Sequence, residues 1–335
     1  MSLSCKYKYE LSVIIKTFNE EANIGATIDS IRSNIHDINY EIIVADSLSL
    51  DATQQIALDR GVKVVTLNNA DERCCGVGHQ LGYLVSEGKY LLLLDGDMQL
   101  EAGFIESAIK FLDDNQNYAA VAGAVEMDDS SNYEFKARKQ KIAIIYPFGD
   151  VNHLGGGGLY RSSAIDEIGY LTNRNLHALE EGELGLRLTS AGYKLHRLDI
   201  PYFKHTSYEL STLELLKHRW NNGYLFSHGE LLKSAYGKPY FMRAVKLIKS
   251  ELVFTAYVML VLLVLVFGGF SDLLISLLPL VAFWALKSLK NKSMQDGFMS
   301  ILNLSSFSAG IIRGLLTPIK DPKEKPSYTI LPKDE

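Results

Sequence analysis

The sequence predicts an α/β fold on a mainly parallel sheet with flanking helices, followed by C-terminal membrane helices. Short β-branched or wholly apolar runs alternate with helical spacings through the first half. Alternation of that kind implies parallel strands joined by crossover helices. Two long uncharged stretches then follow Lys249.

The elements can be read in order. Residues 12–15 form a β-branched run, and Ile24, Ile28, Ile31 and Ile35 recur at helical spacing. Residues 41–45 make a second strand. Asp51 is placed to cap a short helix that stops at Gly61. Residues 62–67, 90–94 and 119–127 are further strands, and the unbroken apolar run 91–94 suits a strand buried on both faces. Residues 133–141 carry several Lys and Arg and read as a solvated helix or loop. Four glycines, Gly155 to Gly158, precede an expected helix. Ser211 followed by Glu214 fits a capping box that opens an amphipathic helix through Arg219 and Trp220.

Residues 252–267 and 273–286 are uncharged, and each is at the short end of the roughly 17–25 residues that span a bilayer. A catalytic domain is expected over 1–236 and a membrane-associated region over 237–335, with a transmembrane hairpin at about 252–289. Residues 241–248 suit a helix at the membrane surface. Arg243, Lys246 and Lys249 precede the hairpin, and Lys287, Lys290 and Lys292 follow it. The positive-inside rule therefore puts both flanks in the cytosol. The apolar stretch 298–316 carries Asn303, Arg313 and several serines, and is expected to lie on the membrane surface or re-enter it.

Composition narrows the function. The 335 residues, 47% of them apolar, allow one large domain with an appendage. A net charge of −5 argues against a nucleic-acid partner. Cys5, Cys74 and Cys75 form no disulfide framework or metal spacing, and reduced cytosolic thiols are expected. Residues 1–10 hold no long apolar stretch, so the soluble part is expected to stay where it is made.

Three motifs carry chemistry. Asp95-Gly96-Asp97 follows a buried strand, where paired carboxylates can hold a hard divalent cation. The same triplet also suits a solvated turn. Glu180, Glu181 and Glu183 open a helical pattern, either as partners of the helix dipole or as the source of a general base. His205 and Arg219-Trp220 come later. Arg219 could grip a diphosphate, or could simply be a surface charge beside a core tryptophan.

The order of these pieces resembles family 2 of the glycosyltransferases, which have the GT-A fold. The run from Ser12 to Glu21 is similar to that family's first strand and nucleotide loop, and 41–53 to its second strand and acidic loop. Asp95 and Asp97 match the metal motif, Glu180-Glu181 with Leu184 to Arg187 match the acidic catalytic segment, and Arg219-Trp220 match a later Arg-Trp pair. The resemblance covers residues 11–224. It implies that Thr17, Glu20 and Asp46 line the nucleotide pocket, with Asp46 facing the base. Asp95 would lie near the ribose and metal, Asp97 would bind the metal, His205 would add a metal or diphosphate contact, and Glu181 would be the base. The implied cofactor is Mg or Mn.

Three departures stand out. Glu181 replaces the common Asp. His79-Gln80 replace an Arg-Asn pair before the metal strand. Leu216 sits where processive synthases carry Gln. The last argues against polymer extrusion. The expected activity is inverting transfer from a nucleotide sugar, a UDP-sugar favoured, to a lipid-linked or membrane-proximal acceptor in polysaccharide or glycolipid assembly. The catalytic domain would face the cytoplasm on the cell membrane. Nucleotidyl transfer, or nucleotide-sugar binding without catalysis, are the rival readings.

Overall fold

The structure, a computed structural model, describes residues 6–127, 141–205 and 211–331. Most of the expected basic segment at 133–141 lies outside the described residues.

The first strands form where continuous apolar runs make both faces buriable. They are β1 (Tyr9–Thr17), β2 (Tyr40–Asp46) and β3 (Lys63–Leu67), with α1 (Ile24–Asn34) and α2 (Thr53–Asp59) as crossovers. In α1, Ile24, Ile28 and Ile31 are wholly buried, as their spacing requires. Asp51 does not cap α2 from the N-cap position, which Ala52 holds. Its carboxylate instead accepts from the Thr53 N–H at 3.0 Å and the Glu21 N–H at 3.1 Å, tying two loops together.

Helix α3 (Cys75–Tyr83) leads to β4 (Gly88–Asp95), whose leucines are fully buried. Then come β5 (Met98–Leu100), α4 (Phe104–Asp114), β6 (Tyr118–Met127), α5 (Ile142–Ile145) and β7 (Gly149–Val151). The glycine run leads into a strand, β8 (Gly158–Arg161), and the expected helix α6 (Ser162–Ile168) follows it. Helix α7 (Glu180–Ser190) and β9 (Lys194–His205) complete this part.

The sheet is mixed. Its order is β10-β3-β2-β1-β4-β8-β6-β9-β5, with β7 paired to β9 and β10 spanning Tyr328–Leu331. The arm β3-β2-β1-β4 is parallel, as expected. Strands β8, β5, β7 and β10 run antiparallel to their neighbours.

The described residues form two compact units: 6–127, 141–205 and 320–331 in one, and 211–319 in the other. Among the described residues these units divide between 205 and 211, and residues 320–331 belong to the first unit. The second unit holds α8 (Thr212–Asn221), α9 (Ser227–Ala235), α10 (Phe241–Leu247), α11 (Lys249–Phe267), α12 (Phe270–Asn291) and α13 (Met294–Leu316). Ser211 and Glu214 form the capping box that opens α8. By length and composition α11, α12 and α13 could each cross a membrane. α11 and α12 bury no residue against the rest of the described chain. α13 is one continuous helix and does bury residues.

Candidate active site

The parallel strands end together. Thr17 of β1 is level with Asp46 of β2, and Lys16 of β1 with Asp95 of β4. Sites on open α/β sheets lie beyond these carboxyl ends. Thr17 Oγ1 donates to Asp46 Oδ1 at 3.1 Å. Asp46 is completely buried, and its oxygens also accept from the Ser49 N–H (2.9 Å), the Ser49 hydroxyl and the Gln54 amide (both 2.5 Å). The expected base-facing carboxylate is thus already engaged by protein donors, and it holds the 46–54 loop in shape. Glu20 sits beside this loop, accepting from Asn23 Nδ2 at 3.0 Å.

Gly96 separates the two aspartates because a Cβ there would fall 2.8 Å from Glu20 Cγ and 3.0 Å from Thr17 Cγ2. Asp95 Oδ1 pairs with Lys16 Nζ at 3.1 Å, and the same ammonium donates to Glu180 Oε1 at 3.0 Å. Burial alone would lower the Lys16 pKa. Asp95 and Glu180 outweigh it and hold the ammonium charged well above its usual range. Asp97 is buried, with Oδ2 3.3 Å from His205 Nε2 and Oδ1 without a hydrogen-bond partner. The pairing of Met98 in β5 with His205 in β9 brings these two side chains together. Burial, then the charges of Asp95 and Glu20, push the Asp97 pKa up to about 8.

The three acids of α7 have different fates. Glu183 is wholly buried, ion-paired to Arg187 at 2.8 Å and accepting from Tyr170 at 2.9 Å, so it serves the core. Glu180 binds Lys16. Glu181 accepts from the Gly157 N–H at 2.6 Å and the Gly156 N–H at 2.7 Å. Both glycines have positive φ, +75° and +79°, and a Cβ on Gly157 would fall 2.1 Å from the Leu93 carbonyl oxygen. The glycine run is therefore a rigid backbone cradle for one carboxylate. Burial, then Glu180, raises the Glu181 pKa to about 7.

Residues 12–169 match the family model described as Glycosyl transferase family 2. The chain carries a family 2 glycosyltransferase domain. It is similar to "Probable glucomannan 4-beta-mannosyltransferase 15" of Arabidopsis thaliana, 24% identical over 63% of this chain and 43% of that one. It is also similar to the "Dolichol-phosphate mannosyltransferase" of Pyrococcus furiosus, 26% identical over 38% of this chain and 36% of that one. These matches span less than half the length of the curated relatives. The GT-A fold is shared with the mannosyltransferase PcManGT of Pyrobaculum calidifontis, solved with GDP-Man and Mn2+. That match has a TM-score of 0.61 and 15% identity, covering 92% of this chain and 88% of that one. The S. aureus TarS 1–349 structure matches with a TM-score of 0.52 and 16% identity, covering 90% of each chain.

In this glycosyltransferase domain, sequence reasoning missed Lys16 and the role of the glycines. Lys16 gave no signal beyond its place at a strand end, and its stem runs over Gly78, where a Cβ would come within 2.6 Å. His79 lies fully buried behind Asp95, its Nε2 3.1 Å from the Leu94 carbonyl oxygen. Burial and Lys16 lower its pKa to about 4. Gln80 accepts from the Leu171 N–H at 2.8 Å. Both side chains of this pair are buried. Arg219 and Trp220 belong to the other unit, on α8. There Trp220 is exposed and meets Phe226 edge-on at 5.2 Å.

Among the described residues, no three His, Cys, Asp or Glu side chains gather as a preformed metal cage. The donor set nonetheless fits a hard cation. Asp97 has a buried oxygen with no partner and faces two further carboxylates, an arrangement that a divalent charge would relieve. Magnesium-like ions commonly take only one or two protein carboxylates and complete their shell with water and substrate phosphates.

Proposed function

We propose that the protein is an inverting glycosyltransferase that moves a sugar from a nucleoside-diphosphate sugar to a lipid-linked or membrane-proximal acceptor, in polysaccharide or glycolipid assembly. The observation that carries this reading is Glu181, half-buried, cradled by the Gly156 and Gly157 N–H groups, and near enough to the acidic Asp95–Asp97 pair for the Asp95 charge to reach it.

A carboxylate offers about four acceptor positions, and the two glycine N–H groups use two. The remainder can take the acceptor's proton. Glu181 removes that proton as the hydroxyl oxygen attacks the anomeric carbon from the face opposite the diphosphate. The bond to the diphosphate breaks and configuration inverts. Lys16 holds Glu180 and Asp95 in place beside this path. Asp95, Asp97 and His205 would hold Mg2+ or Mn2+, which would neutralise charge growing on the leaving diphosphate. Thr17 and Glu20 shape the nucleotide loop, and Asp46 acts by ordering that loop. The named relatives are mannosyltransferases and one fold neighbour holds GDP-Man, so GDP-mannose joins the UDP-sugars as a candidate donor.

The test is a panel of UDP- and GDP-sugars offered to the full chain in detergent, with Mn2+ or with chelator. One donor should bind and release nucleoside diphosphate only with metal. Asp97→Ala should abolish both metal-dependent binding and release. Full activity of Asp97→Ala in chelator would sink the metal role. Pyrophosphate as product would mark nucleotidyl transfer instead, and donor binding without turnover on any acceptor extract would mark a sensor.

A further inference from the structure

Among the described residues, three helices are long and apolar enough to cross a membrane, yet residues 320–331 belong to the same compact unit as residues 6–127. After His205 it enters the second unit, and from Lys320 it is again part of the catalytic unit. There β10 pairs with β3 in an antiparallel ladder, Tyr328 level with Leu67 and Leu331 with Val64. Both ends of the helical region are therefore on one side of any bilayer. An even number of crossings is required, and three would strand β10 on the wrong side.

The packing inside the second unit identifies the helix that does not cross. α11 and α12 form a tandem joined by the tight turn at Gly268–Gly269 and bury no residue. Two residues, Lys292 and Ser293, separate α12 from α13. Near its start, a Cβ on Gly297 would come 2.1 Å from Ser288 Oγ and 3.0 Å from the Trp284 carbonyl oxygen, at the lysine-bearing end of α12. Near its end, a Cβ on Gly310 or Gly314 would come 2.1 Å from the Leu225 carbonyl oxygen or 2.0 Å from that of Phe226. Leu225 and Phe226 precede α11, and no apolar span separates them from the catalytic unit. The first contact places the start of α13 at the lysine end of the hairpin, and the second places its end beside chain that has not yet entered the membrane. Both ends of α13 thus lie on the same face.

We infer that only α11 and α12 cross, and that α13 lies along the catalytic-side face of the bilayer. Its exposed stripe of Met294, Phe298, Ile312 and Leu316 then rests against lipid. These positions follow one another at helical spacing, while Gly297, Ser300, Ile311 and Gly314 bury the opposite face. Arg243, Lys246 and Lys249, with Lys287, Lys290 and Lys292, mark the same face with positive charge, which suits an anionic lipid surface. This surface is independent of which sugar is transferred.

The test uses single cysteines in the full chain after replacement of Cys5, Cys74 and Cys75, probed with a membrane-impermeant maleimide in sealed vesicles of known orientation. Gln295→Cys and Arg313→Cys, both exposed on α13 outside its lipid-facing stripe, and Lys325→Cys should all react from the side on which an Asp59→Cys reporter in the catalytic unit reacts. Ser271→Cys should react only from the other side. Labelling of Gln295→Cys and Arg313→Cys from opposite sides would overturn the proposal, as would labelling of Lys325→Cys opposite Asp59→Cys. All five positions are exposed, so the substitutions leave the fold intact.

Discussion

Glu181 titrates in the range where cells work. Burial and Glu180 raise its pKa to about 7. A general base acts only when ionised, so the transfer rate should climb as pH rises through about 7 and level off above it. Glu181→Gln keeps the shape and removes basicity, and it should cut the transfer rate by roughly 10²–10⁴-fold. Donor affinity should change little, and a wild-type rate would end the assignment. Lys16 is one of the influences that lower the Glu181 pKa. Lys16→Met should therefore move the midpoint of the same pH series upward. A midpoint that stays put would make Lys16 a purely structural group. The choice among Glu180, Glu181 and Glu183 was not legible from acidity alone, since all three sit on one helical turn. The resemblance selected Glu181. The i,i+4 relation of Glu183 to Arg187 was readable in the sequence and marks Glu183 as a core partner.

At the scale of elements, the parallel arm was legible because its strands are continuous apolar runs that only a doubly covered sheet can bury. The antiparallel strands were not. β5 and β7 have three residues each and β8 has four, too few to carry a period. Their register comes from distant partners such as β9. The glycine run was visible, but its purpose depends on Leu93 and Glu181 arriving from elsewhere. That purpose is testable. Gly157 has φ +79°, and a methyl group there would meet the Leu93 carbonyl oxygen at 2.1 Å, backbone that cannot swing aside. Gly157→Ala should displace the cradle and lower kcat at least tenfold. Gly149 also has positive φ but open space around it, and Gly149→Ala should cost stability without comparable loss of rate. Equal kcat losses in the two variants would show that the cradle does not orient Glu181.

For the whole molecule, the composition change after Lys249 made the membrane region legible, but the return of the chain was not. The run Tyr328–Leu331 is β-prone, but nothing local says that its partner is β3, far back in sequence. The return is held chiefly by Glu72. It accepts from Arg174 at 2.5 Å, Lys320 at 2.7 Å and the Ser327 N–H at 3.1 Å. Arg174 also donates to the Glu324 carbonyl oxygen at 2.6 Å, and Asn175 and Lys320 exchange two further bonds. Lys320 and Ser327 help hold the Glu72 pKa below the usual carboxylate range, against the opposing effect of burial. Ending the chain after Thr317 removes the β10 ladder, uncovers the edge of β3 and leaves the largely buried Arg174–Glu72 pair open to water. Each lost hydrogen bond is worth about 1 kcal/mol net, so several together should lower the melting midpoint by on the order of 10 °C. None of these groups touches Glu181, Asp95 or Asp97, so transfer measured well below the midpoint should persist. Glu72→Gln should give a smaller fall, confined to pH values above the Glu72 pKa. That pKa is lowered on folding, so the stability it carries is present at neutral pH and lost as the pH drops through the folded value. A truncated chain that melts with the full one would mean the strand adds nothing to the fold.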